Sequence, residues 1–136
     1  MKSRVIVSAV IEKENNLLFG RKLRDTGPYP NTLHLIGGGI NLEEESLLKA
    51  IEREIEEEAG IHVEIIEPLG FDEDYEPDKK GEMTHYLFLI FKAKYLSGEL
   101  NPKDDIVKLE WIAKEKLASV HLNTPSIRLF RKMGYL

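Results

Sequence analysis

The chain has 136 residues, 42% hydrophobic and 32% charged, a composition typical of one globular domain spanning residues 1–136. Its net charge of −5 argues against binding to a nucleic-acid backbone, and the lack of cysteine excludes disulfides and thiol chemistry. The sequence has no signal peptide and no apolar run long enough to cross a bilayer, so we expect a cytoplasmic protein with no membrane partner.

The first part of the chain predicts β-strands followed by a glycine run. Aliphatic and β-branched residues or turn signals place strands at residues 4–11, 17–22 and 32–36, with a Gly/Pro-rich loop at residues 23–31. The third strand leads into Gly37, Gly38 and Gly39. Glycine lets the backbone approach a metal ion or a phosphate closely, so the run is a candidate binding element rather than an ordinary tight turn.

Residues 46–59 predict an amphipathic helix that carries several carboxylates. The segment is rich in helix formers, lacks proline and glycine, and is followed by Gly60 as a C-terminal cap. At about 100° per residue, Glu54, Glu57 and Glu58 share one sector of the helix. The apolar positions in or beside that sector are Leu47, Leu48, Ile51 and Ile55.

These three carboxylates need a different explanation from the rest of the acidic face. A solvated surface accounts for Glu52 and Glu56 but not for carboxylates that converge beside an apolar stripe. Such groups repel one another and lose hydration, and a bound cation relieves both costs. Because oxygen ligands without cysteine or paired histidine suit a hard ion, we expect Mg²⁺, with Mn²⁺ as a substitute, rather than Zn²⁺.

The second part of the chain predicts further strands and a final helix. The expected elements are strands at residues 62–70, 84–95 and 107–112, an acidic loop at 72–82 and a helical turn at 113–117. Residues 84–95 are apolar on both alternating faces, so layers should cover both sides of the sheet. Thr124 is expected to cap the last helix, with Pro125 at its first position and Gly134 at its end. The fold class is therefore α/β, with a mixed β-sheet between helices.

Residues 39–61 follow the spacing G-x5-E-x7-R-E-U-x-E-E-x-G-U, where U is a bulky aliphatic residue. This pattern resembles the signature box of the MutT-like Nudix hydrolases, and every defined position is filled. The resemblance implies the α/β/α sandwich of the Nudix fold. It also implies an enzyme that cleaves a nucleoside diphosphate linked to another group, with a divalent metal ion and water.

The resemblance assigns roles to several residues. Glu54, Glu57 and Glu58 would be metal ligands together with the backbone carbonyl of Gly38. Arg53 would orient these glutamates, and Glu45 would hold Arg53 or help to position the site. Family members often supply a further carboxylate from the loop before a strand with a Glu-Trp pair, here Glu110-Trp111. Of Asp104 and Asp105 in that loop, spacing favours Asp105 as an extra ligand or a general base, unless it is a plain turn residue.

The expected substrate is a nucleotide. Arg21, Lys22 and Arg24 could stabilise its phosphates, although exposed basic residues at strand ends often serve only solubility. Residues 29–39, 84–91 and 121–136 resemble the small nucleoside triphosphatases, which place an asparagine against the base where this chain has Asn123; a helix cap is the competing role. Tyr29, Tyr86 and Phe88 could stack on a base or belong to the core, and no histidine is assigned a catalytic role.

The sequence thus predicts an Mg²⁺-dependent pyrophosphohydrolase that converts (deoxy)nucleoside triphosphates to monophosphate and pyrophosphate. The alternatives are a hydrolase of ADP-ribose or another nucleoside diphosphate derivative, and a non-catalytic sensor that binds a nucleotide. No nucleic-acid partner is expected, and the protein should be a monomer or a homodimer.

Overall fold

The computed structural model describes residues 1–22, 27–103 and 105–136. The strands are β1 (Lys2–Lys13), β2 (Asn16–Lys22), β3 (Leu33–His34), β4 (Ile36–Gly39), β5 (His62–Pro77), β6 (Met83–Ser97) and β7 (Ile106–Ala113). The helices are α1 (Leu47–Ala59) and α2 (Thr124–Met133), and a 3-10 helix spans Lys114–Ser119.

The strands form one mixed sheet, as the sequence predicts. The central path runs β3-β2-β1-β6-β5, with β1 and β6 parallel and the other neighbouring pairs antiparallel. Strand β4 pairs with β1, so that Gly37 lies opposite Ser8, and β7 pairs with β2. The glycine strand is therefore held against the middle of the sheet by backbone hydrogen bonds.

Hydrophobic residues on the two faces of the sheet form two separate cores. On one face, Val7 and Ile11 of β1 pack with Ile51 and Ile55 of α1. On the other face, Val10 belongs to the core that includes Phe130 of α2. The alternation along β1 directs successive side chains to opposite helical layers, which gives the predicted sandwich. Within the described ranges, no helix is long and apolar enough to traverse a bilayer.

The structure differs from the sequence expectations at three points. Strand β5 continues to Pro77, where an acidic loop from residue 72 was expected, because Asp72 to Pro77 pair with β6. Leu48 was expected beside the buried face of α1 but is 53% exposed. The N-cap of α2 is Asn123 rather than Thr124, since the Asn123 side chain accepts a hydrogen bond from the Ser126 N–H.

Candidate active site

Close packing around β4 explains the glycine run. A Cβ atom on Gly37 would collide with the backbone of Val7, which pairs with this strand. A Cβ atom on Gly38 would collide with the carboxylate of Glu54. Any side chain at these two positions would therefore push β4 away from β1 or away from helix α1.

Helix α1 directs two carboxylates towards this strand. Ser46 caps the helix by accepting the Lys49 N–H, and Gly60 ends it in the left-handed conformation at φ 74°. Glu58 is only 8% exposed, and its Oε1 accepts the Gly37 N–H at 3.0 Å. Glu54 lies one turn earlier beside Gly38, and burial raises the pKa of its carboxyl group. Two largely buried acidic groups thus face the glycine strand.

Arg53 links the remaining carboxylates of the helix. Its Nε donates to both oxygens of Glu45 at 3.1 and 3.0 Å. Its Nη1 donates to Glu54 Oε1 and to Glu57 Oε2, each at 3.0 Å. The hydrogen bonds to Glu45 raise the pKa of Arg53, and Arg53 in turn lowers the pKa of Glu45. One guanidinium therefore holds three carboxylates in fixed relative positions.

A cavity of about 210 Å³ opens beside the glycine strand. It is lined by charged residues and by the glycine strand, namely Arg4, Lys22, Lys79, Glu54, Glu58 and Asp105 with Gly37, Gly38 and Gly39. Its other lining residues include Pro28, Tyr29, His34, Leu35, Tyr86, Phe88, Ile90, Asn123 and Pro125. A cavity that combines acidic and basic groups with aromatic rings is suited to a ligand that joins phosphates to a flat ring.

Three elements deliver the cations of the cavity. Arg4 comes from β1, and its guanidinium lies against the backbone of Gly39. Lys22 ends β2, and burial lowers the pKa of its amine, an effect that the nearby charge of Glu58 partly offsets. Lys79 lies between β5 and β6 and forms an ion pair with Asp105 across the cavity. These cations can neutralise phosphate charge next to the carboxylates.

Backbone hydrogen bonds between β3 and the start of α2 organise the part of the cavity around His34 and Asn123. Leu33 of β3 exchanges backbone hydrogen bonds with residues just before α2, through His121 O at 2.8 Å and Asn123 N at 3.1 Å. This tether sets the Asn123 side chain against His34, with Asn123 Nδ2 at 3.3 Å from His34 Nδ1. Burial lowers the pKa of His34 to about 3, so its imidazole is neutral.

The structure gathers only part of the predicted site around the cavity. The predicted residues that line it are Lys22, Tyr29, Gly37, Gly38, Gly39, Glu54, Glu58, Tyr86, Phe88, Asp105 and Asn123. Glu45 and Arg53 do not line this cavity, and Arg53 contacts Glu54. Arg21 does not line it either, and its Nη2 lies 3.9 Å from Glu110. Arg24 and Asp104 fall outside the described residues.

Among the charged and titratable residues that line the cavity, sequence reasoning missed Arg4, Lys79 and His34. Arg4 and Lys79 reach the cavity only through strand pairing and the β5–β6 connection, which local sequence does not reveal. The position of His34 could have indicated that it lies near the site, because it precedes the glycine run in a segment that was expected to be a strand.

The expected convergence of Glu54, Glu57 and Glu58 on one point is not seen. Among the described residues, no three acidic or histidine side chains are grouped closely enough to hold a metal ion as they stand. The Glu57 side chain is 49% exposed and bound to Arg53. The donor set nevertheless fits a hard divalent cation, since Glu54 and Glu58 offer carboxylate oxygens beside the backbone of Gly38.

Comparisons with known proteins identify the family and support the fold. The family model for the NUDIX domain matches residues 2–132. Nucleoside triphosphatases NudI from Enterobacter sp. (strain 638) and from Klebsiella pneumoniae (strain 342) are each 28% identical over 142 residues, covering 100% of both chains. The MutT NUDIX hydrolase structure from Burkholderia pseudomallei has a TM-score of 0.80 at 26% identity, covering 96% of this chain and 98% of the other. The MutT protein structure from Methanosarcina mazei Go1 has a TM-score of 0.82 at 21% identity, covering 98% and 94%.

Proposed function

This chain belongs to the NUDIX domain family and is a hydrolase of phosphoric anhydride bonds, and on that premise we propose that it converts (deoxy)nucleoside triphosphates to monophosphate and pyrophosphate. The observation that carries the proposal is the cavity that Glu54 and Glu58 line together with Arg4, Lys22 and the aromatic rings of Tyr29, Tyr86 and Phe88. A nucleoside triphosphate has this distribution of charge and flat apolar surface. The relatives named as nucleoside triphosphatases support the same substrate class.

The proposed cofactor is Mg²⁺, with Mn²⁺ as a substitute. Members of this family generally use divalent cations, and Glu54, Glu57 and Glu58 with the Gly38 carbonyl would hold the ion. A bound divalent cation neutralises phosphate charge and lowers the pKa of the water that it binds. Arg53 would orient Glu54 and Glu57 through its hydrogen bonds to both, and Glu45 fixes Arg53 from the other side.

Other side chains around the cavity would bind the phosphates and accept the proton of the attacking water. Arg4, Lys22 and Lys79 would bind the phosphate chain and orient it for in-line attack. Asp105 would accept the proton of the attacking water, and its ion pair with Lys79 fixes its position at the cavity. Glu58 is fixed by the Gly37 N–H, so its carboxylate is positioned before substrate binds.

A turnover assay with a matched pair of variants tests this function. The purified protein would be incubated with Mg²⁺ and a panel of nucleoside triphosphates, deoxynucleoside triphosphates and ADP-ribose, and the products would be separated by ion-exchange chromatography. We expect monophosphate and pyrophosphate from triphosphates. Glu57→Gln should lower kcat at least about a hundredfold, whereas Glu56→Gln, an exposed neighbour on the same helix, should have no effect.

Each alternative gives a different product pattern. Cleavage of ADP-ribose without cleavage of triphosphates would assign the chain to nucleoside diphosphate derivatives. Nucleotide binding without any product would indicate a sensor. Normal turnover in Glu57→Gln would contradict the assigned metal ligand. The single domain over residues 1–136, the cytoplasmic location and the monomeric or homodimeric state remain predictions.

A further inference from the structure

Asp78 is a buried carboxylate in the turn at residues 78–82, which connects β5 to β6. It is 7% exposed, and its Oδ1 accepts the N–H groups of Lys80 and Glu82, each at 2.9 Å. Its Oδ2 accepts a hydrogen bond from the ammonium group of Lys2, at the start of β1. The hydrogen bond from Lys2, together with those from the backbone, lowers the pKa of Asp78 to about 2. The proposed reaction gives this buried charge no role.

The contacts of Asp78 make the 78–82 turn rigid. The Asp78 N–H donates to the carbonyl of Glu82 at 2.9 Å, and the Asp78 carbonyl accepts the N–H of Gly81 at 3.0 Å. Gly27 packs so closely against the same carbonyl that a Cβ atom on Gly27 would collide with it. The turn is therefore held by its own hydrogen bonds, by Lys2 of β1 and by the neighbouring loop.

Lys79 is the residue that this turn places at the cavity. Its side chain is half exposed, and among the described residues its ion-pair partner is Asp105, which is 42% exposed. An ion pair this exposed contributes little to stability, so it cannot by itself hold Lys79 in place. An ammonium group has three N–H donors, so Lys79 can bind Asp105 and still donate to phosphate oxygens.

Lys79 lies close enough to Lys22 for the two charges to repel each other. The pKa of Lys22 is lowered first by burial and further by the charge of Lys79. Repulsion and side-chain entropy would both turn a freely moving lysine towards the solvent, whereas a phosphate chain would attract both ammonium groups. We propose that Asp78, anchored by Lys2, is a positioning residue that holds Lys79 at the cavity for the phosphate chain of the substrate. The inference rests on the proposed function.

A double-mutant cycle in KM tests the proposed coupling. Lys79→Met removes the ammonium group, and Asp78→Ala releases the turn that carries it. Each substitution should raise KM for a deoxynucleoside triphosphate about five- to tenfold and change kcat less than about twofold, because the phosphate contact exists before the reaction. In the double variant KM should equal that of Lys79→Met, since Asp78 acts only through Lys79. Increases in KM that multiply in the double variant would overturn the inference.

Two further substitutions control for charge and for folding. Lys80→Met removes the neighbouring exposed lysine, which does not line the cavity, and should leave KM unchanged. An increase in KM equal to that of Lys79→Met would indicate a general effect of positive charge and overturn the inference. Lys2→Met removes the anchor but keeps the turn's own hydrogen bonds, so it carries the test if Asp78→Ala does not fold. We expect a KM increase of about threefold that disappears in the Lys79→Met background; an unchanged KM would overturn the anchoring role.

Binding of inorganic tripolyphosphate separates this inference from the proposed function. Calorimetry without added metal reports the cations of the cavity without turnover or a base. Kd should rise about five- to tenfold in Asp78→Ala and in Lys79→Met, and no further in the double variant. This coupling in a protein that hydrolyses no triphosphate would contradict the proposed function and support the positioning role of Asp78. Hydrolysis of triphosphates with KM and Kd unchanged in Asp78→Ala would support the function and overturn the inference.

Discussion

Acid should destabilise the folded protein through His34, and His34→Asn should remove that effect. Burial, assisted by the charge of Lys22, lowers the pKa of this histidine from 6.5 to about 3. Between these values the unfolded chain binds a proton that the folded chain excludes, so stability falls as the pH falls from 6.5 towards 3. The slope is about 1.4 kcal/mol per pH unit, so at pH 5 the loss should reach roughly 2 kcal/mol.

Urea unfolding of the two proteins at about pH 7.5 and pH 5 measures this effect. All other titratable groups are common to both proteins, so the difference in free energy of unfolding isolates position 34. Between pH 7.5 and pH 5, the free energy of unfolding of the wild type should fall by roughly 2 kcal/mol more than that of His34→Asn. Identical pH dependences in the two proteins would contradict a lowered pKa of His34 in the fold.

Two further substitutions test the acidic end of the cavity. Arg53→Lys keeps the positive charge but cannot hold Glu45, Glu54 and Glu57 together, so kcat should fall about tenfold or more with little loss of stability in urea; an unchanged kcat would argue against a positioning role. Gly38→Ala places a methyl group against the Glu54 carboxylate, so activation should require a higher Mg²⁺ concentration, as measured by metal titration of the rate. An Mg²⁺ dependence equal to that of the wild type would contradict the placement of Glu54 at the metal.

Elements with local signals were predictable from the sequence. Helix α1 begins after Ser46 and ends at Gly60 because a capping side chain and a left-handed glycine act within a few residues. The extent of β5 was not predictable in this way. Its acidic second half forms a strand because β6 offers a row of backbone partners. Arg128 of α2 also neutralises Asp72 and Asp74, which local sequence does not reveal.

Residues of the candidate site also differ in whether local sequence predicts them or only the tertiary structure reveals them. Glu54 and Glu58 lie four residues apart on one helix, so their common direction follows from helical periodicity. The sequence offered Lys22 and Arg21 equally as phosphate ligands, but only Lys22 lines the cavity, after a register irregularity between the two residues. Arg4 could not be recognised as a site residue from the sequence, because its proximity to Gly39 depends on the pairing of β1 with β4.

The class of reaction and the arrangement of the cavity depend on different kinds of information. The motif at residues 39–61 carries the resemblance to the Nudix hydrolases, and residue type and spacing encode it directly. The orientation of the Asn123 amide is not encoded by residue type. It follows from the helix cap on the Ser126 N–H and from the tether between Leu33 and the start of α2. Because these contacts join residues far apart in the sequence, substitutions behind the cavity wall should alter the cavity without touching the substrate.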